Sequence, residues 1–236
     1  MANLQKGVLE KVQHFLEKKK FPYEVIVVDD GSTDGSVEFL TKFIKDHPQF
    51  QLIKGAHYGK AGAVTKGMLQ AKGEYSLFTD MDQATPIEEL DKFLPYFEKG
   101  YDIVIGSRNT TRKGSPMVRQ IISLGAIVLR KVIVGLPGIS DTQCGFKMFR
   151  KDVAKRLFTR IDSFNDGFHS VKGSNVSYGL DVELLILATH MDYRIKEVPV
   201  HWLHVETRRV NPVQDSIQGV VDLLRIKRNA LAGKYR

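Results

Sequence analysis

Cysteine occurs once in the 236 residues, at Cys144. A single thiol excludes an intrachain disulfide framework and any multi-cysteine zinc site, and it fits a reducing compartment. Long apolar runs are missing as well. No stretch reaches 18 uninterrupted apolar residues, and the opening MANLQKGVLEKVQHF carries no signal-peptide hydrophobic region. A cytoplasmic protein is therefore expected. Internal repeats, low-complexity tracts and long linkers are absent. With 42% hydrophobic and 26% charged residues, the composition suits one globular domain, or one with an appendage.

Acidic residues are scarce in one region. From Arg108 to Arg160 there are twelve Lys/Arg against Asp141 and Asp152, a local net of +10 that exceeds the +8 of the whole chain. Such a patch attracts phosphates, anionic lipid or nucleic acid, although a solvated basic face has the same composition. No helix-turn-helix, RNP or zinc motif accompanies it, so nucleic acid is not an expected partner.

What is present is an alternation of strand and helix signals. Residues 8–19 place Val8, Leu9, Val12, Phe15 and Leu16 at helical spacing. The β-branched run 25–28 predicts a strand buried on both faces. Turn chemistry at Asp29-Asp30-Gly31-Ser32 leads to a helix at 36–45. Further strands are predicted at 51–54, 75–79 and 101–106, with helices at 61–71 and 86–97 between them. That order implies βαβ units, hence an α/β fold with a mostly parallel sheet flanked by helices. Pro116 opens a segment to Val134 that is apolar on nearly every side but broken by Arg119, Gln120, Arg130 and Lys131. It reads as an in-plane amphipathic helix or a buried one. A strand at 198–203 and a basic amphipathic helix at 213–229 complete the chain.

Ligands of a parallel α/β sheet gather beyond the carboxyl ends of its strands. Two acidic pairs fall there: Asp29/Asp30 after EVIVV and Asp80/Asp82 in FTDMDQATP. Two carboxylates one residue apart can share Mg²⁺ or Mn²⁺, which usually take the rest of their ligands from substrate phosphates and water. A helix N-cap ahead of Pro86 is the plainer explanation of Asp80/Asp82, and an Asp-Gly turn that of Asp30. GAHYGKAGAVTKG (55–67) is not a P-loop: three residues separate Gly55 from Gly59-Lys60, and Ala61 stands where Ser or Thr would hold magnesium. A Gly-rich loop before a helix can still approach phosphates. His201 and His204, three apart on a predicted strand, point to opposite faces and read as structural. Cys144 has no base beside it in the sequence and is given no catalytic role.

Taken in order, VVDDGSTDGS, the Gly-Lys-Ala-Gly loop, DMDQATP, IGSRN, SDTQCGFKMF and EVPVHW resemble the family 2 glycosyltransferases of GT-A (Rossmann-like) fold. Within that family they look most like polyprenyl-phosphate sugar transferases: dolichyl-phosphate β-glucosyltransferases nearest, dolichyl-phosphate mannose synthases further off. The resemblance implies inverting transfer of glucose or mannose from UDP-glucose or GDP-mannose to a dolichyl or undecaprenyl phosphate. The site of transfer would be the cytoplasmic membrane surface. It implies that Asp80 and Asp82 hold the divalent cation, and that Asp29 and Asp30 lie against the base and ribose of the nucleotide. Lys60, Arg108 and Arg119 would address phosphates, and Arg209 would close over the diphosphate. Asp141 and Gln143 would belong to an acceptor-side loop, with Glu183 on the following helix. A phosphate acceptor is already ionised at pH 7, so no strong general base is required.

The resemblance also has a gap. Family members begin with a strand of the form V-x-V-V-I-P-A-Y-N-E, set between the strands corresponding to VIVVDD and LFTDMD. Nothing in this sequence matches it. Two outcomes are expected: a break in the sheet, or direct pairing of those two strands. A truncated or inactive nucleotide- or lipid-phosphate-binding homologue is the alternative function. The domain expected to carry the chemistry is 1–210, with 211–236 a C-terminal helix.

Overall fold

Strand and helix alternate largely as the periodicity predicts. The computed structural model describes residues 1–108, 135–136, 138–164, 178–203 and 212–235; the expected helix at 116–134, Arg119, His204 and Arg209 lie outside them. Helices α1 (Ala2–Gln5) and α2 (Val8–Glu17) precede β1 (Val25–Asp29), α3 (Ser36–Lys45), β2 (Phe50–Lys54), α4 (Gly59–Gln70) and β3 (Tyr75–Thr79). A 3₁₀ helix (Ile87–Lys92), α5 (Leu94–Glu98) and β4 (Ile103–Arg108) follow. Then come β5 (Phe146–Arg150), α6 (Lys151–Phe164), α7 (Tyr178–His190), β6 (Ile195–Val200) and α8 (Pro212–Leu231).

Three expectations are corrected. The single helix predicted at 86–97 is two short pieces meeting at Phe93, because Pro95 has no N–H to continue the ladder. The last strand begins and ends three residues earlier than predicted, at Ile195 and Val200. Strand β1 is not buried on both faces: only Val27 and Asp29 are buried, while Val25, Ile26 and Val28 are half-covered.

The cause of that last difference is the sheet itself. Among the described residues β1 pairs only with β2, in parallel, with Val25 opposite Phe50 and Asp29 opposite Lys54. The remaining strands form a separate sheet of order β3-β5-β4-β6. In it β4 and β6 are parallel, whereas β5 runs antiparallel to both its neighbours. Among the described residues β1 and β3 share no ladder, so they do not pair directly. Side chains hold the two sheets together instead. Leu9 of α2 packs with Val27, Leu40 and Phe50, while Val12 and Leu16 of the same helix pack with Val104, Phe146 and Val198; Val25 touches both clusters. Glu24 Oε1 accepts the Lys72 and Gly73 N–H groups at 2.6 and 3.1 Å. Gly67 lets α4 lie against β1, since a Cβ there would come within 3.1 Å of Val28.

Alternation along β4 and β5 divides the core into two layers. Ile103, Ile105 and Phe149 face α4, α6, α7 and α8, where Leu157, Leu184 and Ile226 are wholly buried. Val104, Phe146 and Met148 face α2, the 3₁₀ helix and α5. The same alternation turns Lys147, with no exposure at all, into the first layer.

The C-terminal residues are fastened to this layer by one buried hydrogen bond. Tyr235 Oη donates to Glu183 Oε1 at 2.6 Å, with both side chains buried. Burial first, then the Glu183 carboxylate, holds the Tyr235 phenol above its ordinary pKa. Tyr235→Phe therefore leaves a buried carboxylate short of a donor, a loss of about 1–3 kcal/mol. For a chain of this size the melting temperature should fall by about 2–4 °C per kcal/mol. Adding Glu183→Leu to Tyr235→Phe should recover most of that fall, because removing both partners leaves nothing unsatisfied. Thermal melts of the three variants check it; an unchanged melting temperature for Tyr235→Phe would mean the bond holds nothing.

Candidate active site

The carboxyl ends of β1, β3 and β4 converge on one pole, and the predicted acidic pairs are there. Asp80 directly follows β3, and its N–H donates to the Gly145 carbonyl at 3.2 Å, carrying the β3–β5 ladder one step further. Its Oδ1 lies 2.7 Å from Lys60 Nζ, on the first turn of α4. Asp82 closes a local turn, its Oδ1 accepting the Ala84 N–H at 3.0 Å. Gln83, at φ +50°, donates from Nε2 to the Asp80 carbonyl at 3.2 Å. The N-cap of the following 3₁₀ helix is Pro86, without a side-chain cap. Asp80 and Asp82 are thus half-exposed carboxylates and not caps of that helix.

A glycine makes this arrangement fit. A Cβ built at Gly145 would lie 2.0 Å from Asp80 Oδ2 and 2.6 Å from its carboxyl carbon, well inside any contact a real side chain tolerates. Only a residue without a side chain lets the Asp80 carboxylate occupy its position. The loop before Gly145 is equally constrained. Cys144 is buried, and its Sγ lies 3.8 Å from Thr85 Oγ1. Burial above all, then Asp141, pushes its thiol pKa up, in keeping with a structural role.

Asp141 and Arg108, expected at the acceptor and donor phosphates, are bonded to each other. Arg108 donates from Nε to Oδ2 at 2.7 Å and from Nη2 to Oδ1 at 2.8 Å, and its backbone N–H adds a third bond at 3.0 Å. Burial opposes the charge on each, but the bidentate contact prevails: Asp141 is held below the usual carboxylate range and Arg108 above its own. The Gln143 N–H also donates to Asp141 Oδ1, at 3.1 Å. Glu197 of β6 accepts the Asp141 and Ser140 N–H groups and the Ser140 hydroxyl. Asp141 is a brace that sets the loop and aims Arg108, whose guanidinium stacks over Trp202 at 6.0 Å.

The nucleotide-side pair is likewise engaged. Asp29 Oδ2 accepts the Gly31 and Ser32 N–H groups, both at 3.1 Å. Asp30 takes the Tyr58 N–H on Oδ1 and the Gly59 N–H on Oδ2, both at 2.7 Å. Asp30 therefore ties the end of β1 to the start of α4, which positions Lys60.

Two charged residues of the site were not singled out from the sequence. Lys147 donates to the Cys144 carbonyl at 2.7 Å and is ion-paired with Asp181, on the first turn of α7. Asp181 also acts on Lys60: although burial works against the ammonium, Asp80, Asp181 and Asp82 together hold it above its ordinary pKa. Glu183, the expected acidic position, turns away to Tyr235. Residues two apart on a helix point in nearly opposite directions, so only one of this pair can face the pole. The signal was there in Lys147, a cation inside an apolar strand that requires a buried acid.

Among the described residues no three or more His, Cys, Asp or Glu side chains gather into a metal cluster. The donor set is instead Asp80 and Asp82, two hard oxygen ligands at a solvent-accessible pole. That suits a divalent cation completing its shell with diphosphate oxygens and water.

The chain is similar to known proteins in both sequence and fold. The sequence profile of "Glycosyl transferase family 2" matches residues 3–158, a span that includes Asp29, Asp80, Arg108 and the Asp141–Gly145 loop. A dolichyl-phosphate beta-glucosyltransferase of Dictyostelium discoideum is 32% identical over 98% of this chain and 72% of its own. One from Saccharomyces cerevisiae is 32% identical over 96% of this chain and 71% of its own. Among solved structures, a glucosyl-3-phosphoglycerate synthase from Mycobacterium tuberculosis, crystallised with Mn²⁺, UDP and phosphoglyceric acid, superposes with a TM-score of 0.58. It is 18% identical and covers 94% of this chain and 72% of that one, which bears on the fold. Two carboxylates after β3, a glycine that admits the first of them and a braced Arg108 thus sit on a GT-A scaffold, and the chain belongs to glycosyl transferase family 2.

Proposed function

We propose that the chain transfers glucose, with inversion, from UDP-glucose to a polyprenyl phosphate of the dolichyl type at the cytoplasmic face of a membrane. The observation that carries this reading is the Asp80/Asp82 pair, whose first carboxylate is admitted by Gly145 and faces Lys60 at 2.7 Å, in a chain whose relatives are named for dolichyl-phosphate glucosyl transfer. A phosphate oxygen of the acceptor attacks the anomeric carbon from the face opposite the diphosphate. The bond from that carbon to the diphosphate oxygen breaks with its electron pair, and UDP leaves. Asp80 and Asp82 would hold the divalent cation, which supplies Lewis-acid neutralisation of the leaving diphosphate. Lys60 adds a second positive charge beside it, and Asp29 and Asp30 border the nucleotide. Arg108, aimed by Asp141, addresses phosphate; Gln143 lies on the acceptor side, and Arg119 and Arg209 are assigned to phosphates by resemblance. The acceptor arrives ionised, so neither Cys144 nor a histidine is needed as base.

Among the described residues β1 is paired along one edge, which favours a second reading, a homologue that binds nucleotide or lipid phosphate without turnover. A donor screen separates the two. UDP-glucose should be consumed with a short polyprenyl phosphate and Mn²⁺ or Mg²⁺, and GDP-mannose should be the poorer donor. Binding of UDP without any glycolipid product would support the inactive homologue.

Asp82→Asn should lower kcat by about 10²–10³-fold, the usual loss when one charge-stabilising group is removed, with no change in melting temperature. Full activity of that variant, or of the unaltered chain in EDTA, would sink the metal assignment. Gly145→Ala should give a comparable loss by displacing the Asp80 carboxylate. Its Mn²⁺ affinity, measured by calorimetry with UDP present, should fall in parallel.

A further inference from the structure

Helix α8 carries a second apolar face that the core does not use. Its inner face is accounted for: Asp222 and Ile226 are buried, and Tyr235 follows them into the main core. On the opposite side Val220 is 37% exposed, Val221 52%, Leu224 55% and Leu231 80%. At 100° per residue these four side chains fall on one stripe, together with the exposed Lys227 and Arg228. No acidic residue lies on it; the nearby Asp222 is turned inward, 3.8 Å from Arg225. A surface helix of a soluble protein normally presents polar residues there.

The position of the stripe along the molecule matters as much as its composition. A Cβ at Gly179 would touch both Asp222 and Arg225, so this part of α8 crosses the first turn of α7, two residues from Asp181. Tyr235 meets Glu183 and lies 6.2 Å from the His190 ring, further along α7. Val220, Val221 and Leu224 are therefore level with the end of α7 that carries Asp181, the catalytic pole. Among the described residues eight large hydrophobic side chains are exposed. Seven of them are these four plus Met81, Trp202 and Leu203, which flank the carboxylates. Leu203 is pinned to that end of the molecule by its N–H bond to the Ala84 carbonyl at 2.7 Å.

We infer that the outer face of α8 docks on an anionic lipid bilayer. Val220, Val221, Leu224 and Leu231 enter the acyl boundary, while Lys227 and Arg228 reach the headgroup phosphates with their stems along the apolar stripe. The absence of acid on the stripe and the presence of two cations select an anionic surface over a neutral protein partner. Docking there brings the pole of Asp80 and Asp82 to headgroup level, where a lipid-phosphate acceptor presents its phosphate. The inference thus deepens the proposed function, and it rests on that reading for its purpose.

Flotation of the full chain with vesicles tests it without donor or acceptor. The chain should float with phosphatidylcholine mixed with phosphatidylglycerol and much less with phosphatidylcholine alone. Lys227→Gln with Arg228→Gln should weaken vesicle affinity roughly thirtyfold, and Val221→Glu with Leu224→Glu at least as much. Melting temperatures should be unchanged, because all four side chains are exposed. Trp202, the sole tryptophan, should shift its emission to the blue on vesicle binding. Equal flotation of both double variants and the unaltered chain would overturn the proposal, as would bound vesicles without a tryptophan shift. So would light scattering that shows a dimer which Val221→Glu with Leu224→Glu converts to monomer while flotation is unaffected; the stripe would then be a contact between copies. Turnover of a detergent-dissolved short polyprenyl phosphate should be the same in all three proteins. Loss of that turnover in the unaltered chain would count against the proposed function and not against docking.

Discussion

A lysine without solvent contact is the constraint around which the pole is built. Lys147 enters the apolar layer because β5 alternates, and there an unpaired ammonium would be strongly destabilising. Asp181 and the Cys144 carbonyl answer it. Meeting that demand fixes three things together: the start of α7, the turn at Cys144, and through it Gly145, whose carbonyl and bare Cα receive Asp80. Replacing one partner alone would leave a buried charge. The pair therefore ties the helix layer to the strand ends more specifically than apolar packing would.

Above this pair the charges are sorted by how fully they are satisfied. Asp141 is saturated by Arg108 and by backbone amides, and Asp29 and Asp30 hold turns. Among the described residues Asp80 has one counter-ion, Lys60, and Asp82 a single amide. These two carboxylates, with acceptor capacity to spare, stand one residue apart in sequence and are open to solvent. The saturated ones form a rigid frame behind them. On the proposed function, a cation arriving with a diphosphate would meet ligands that need little rearrangement, the preorganisation from which electrostatic catalysis gains most.

Much of this was legible in the amino-acid order, for identifiable reasons. Strand β3 and helix α3 have the bounds their periodicity predicts, since each is short and closed by turn or cap chemistry. The Asp80/Asp82 pair stands out because it follows a strand whose carboxyl end must meet the others, whereas Arg108, the last residue of β4, is singled out by resemblance alone. β5 was not legible: three residues of FKMFR are apolar or aromatic, but Lys147 among them hides the strand until Asp181 is seen opposite it. Asp181 itself was passed over for Glu183, a choice only helix phase can make. The split between β1 and β3 depends on which strands find partners in space, and the half-burial of Val25, Ile26 and Val28 is its direct result.

Proline at position 199 has a bearing on how many copies can lie side by side. Among the described residues β6 is the outer strand of its sheet, paired on one side with β4, and Pro199 sits on it with its side chain exposed. An outer strand offers its backbone to any passing chain, and a residue that lacks an N–H spoils the hydrogen-bond row such a chain would need. Pro199 therefore puts one residue without an N–H into any backbone row that β6 could present to a neighbouring copy, which weakens strand-to-strand association between copies.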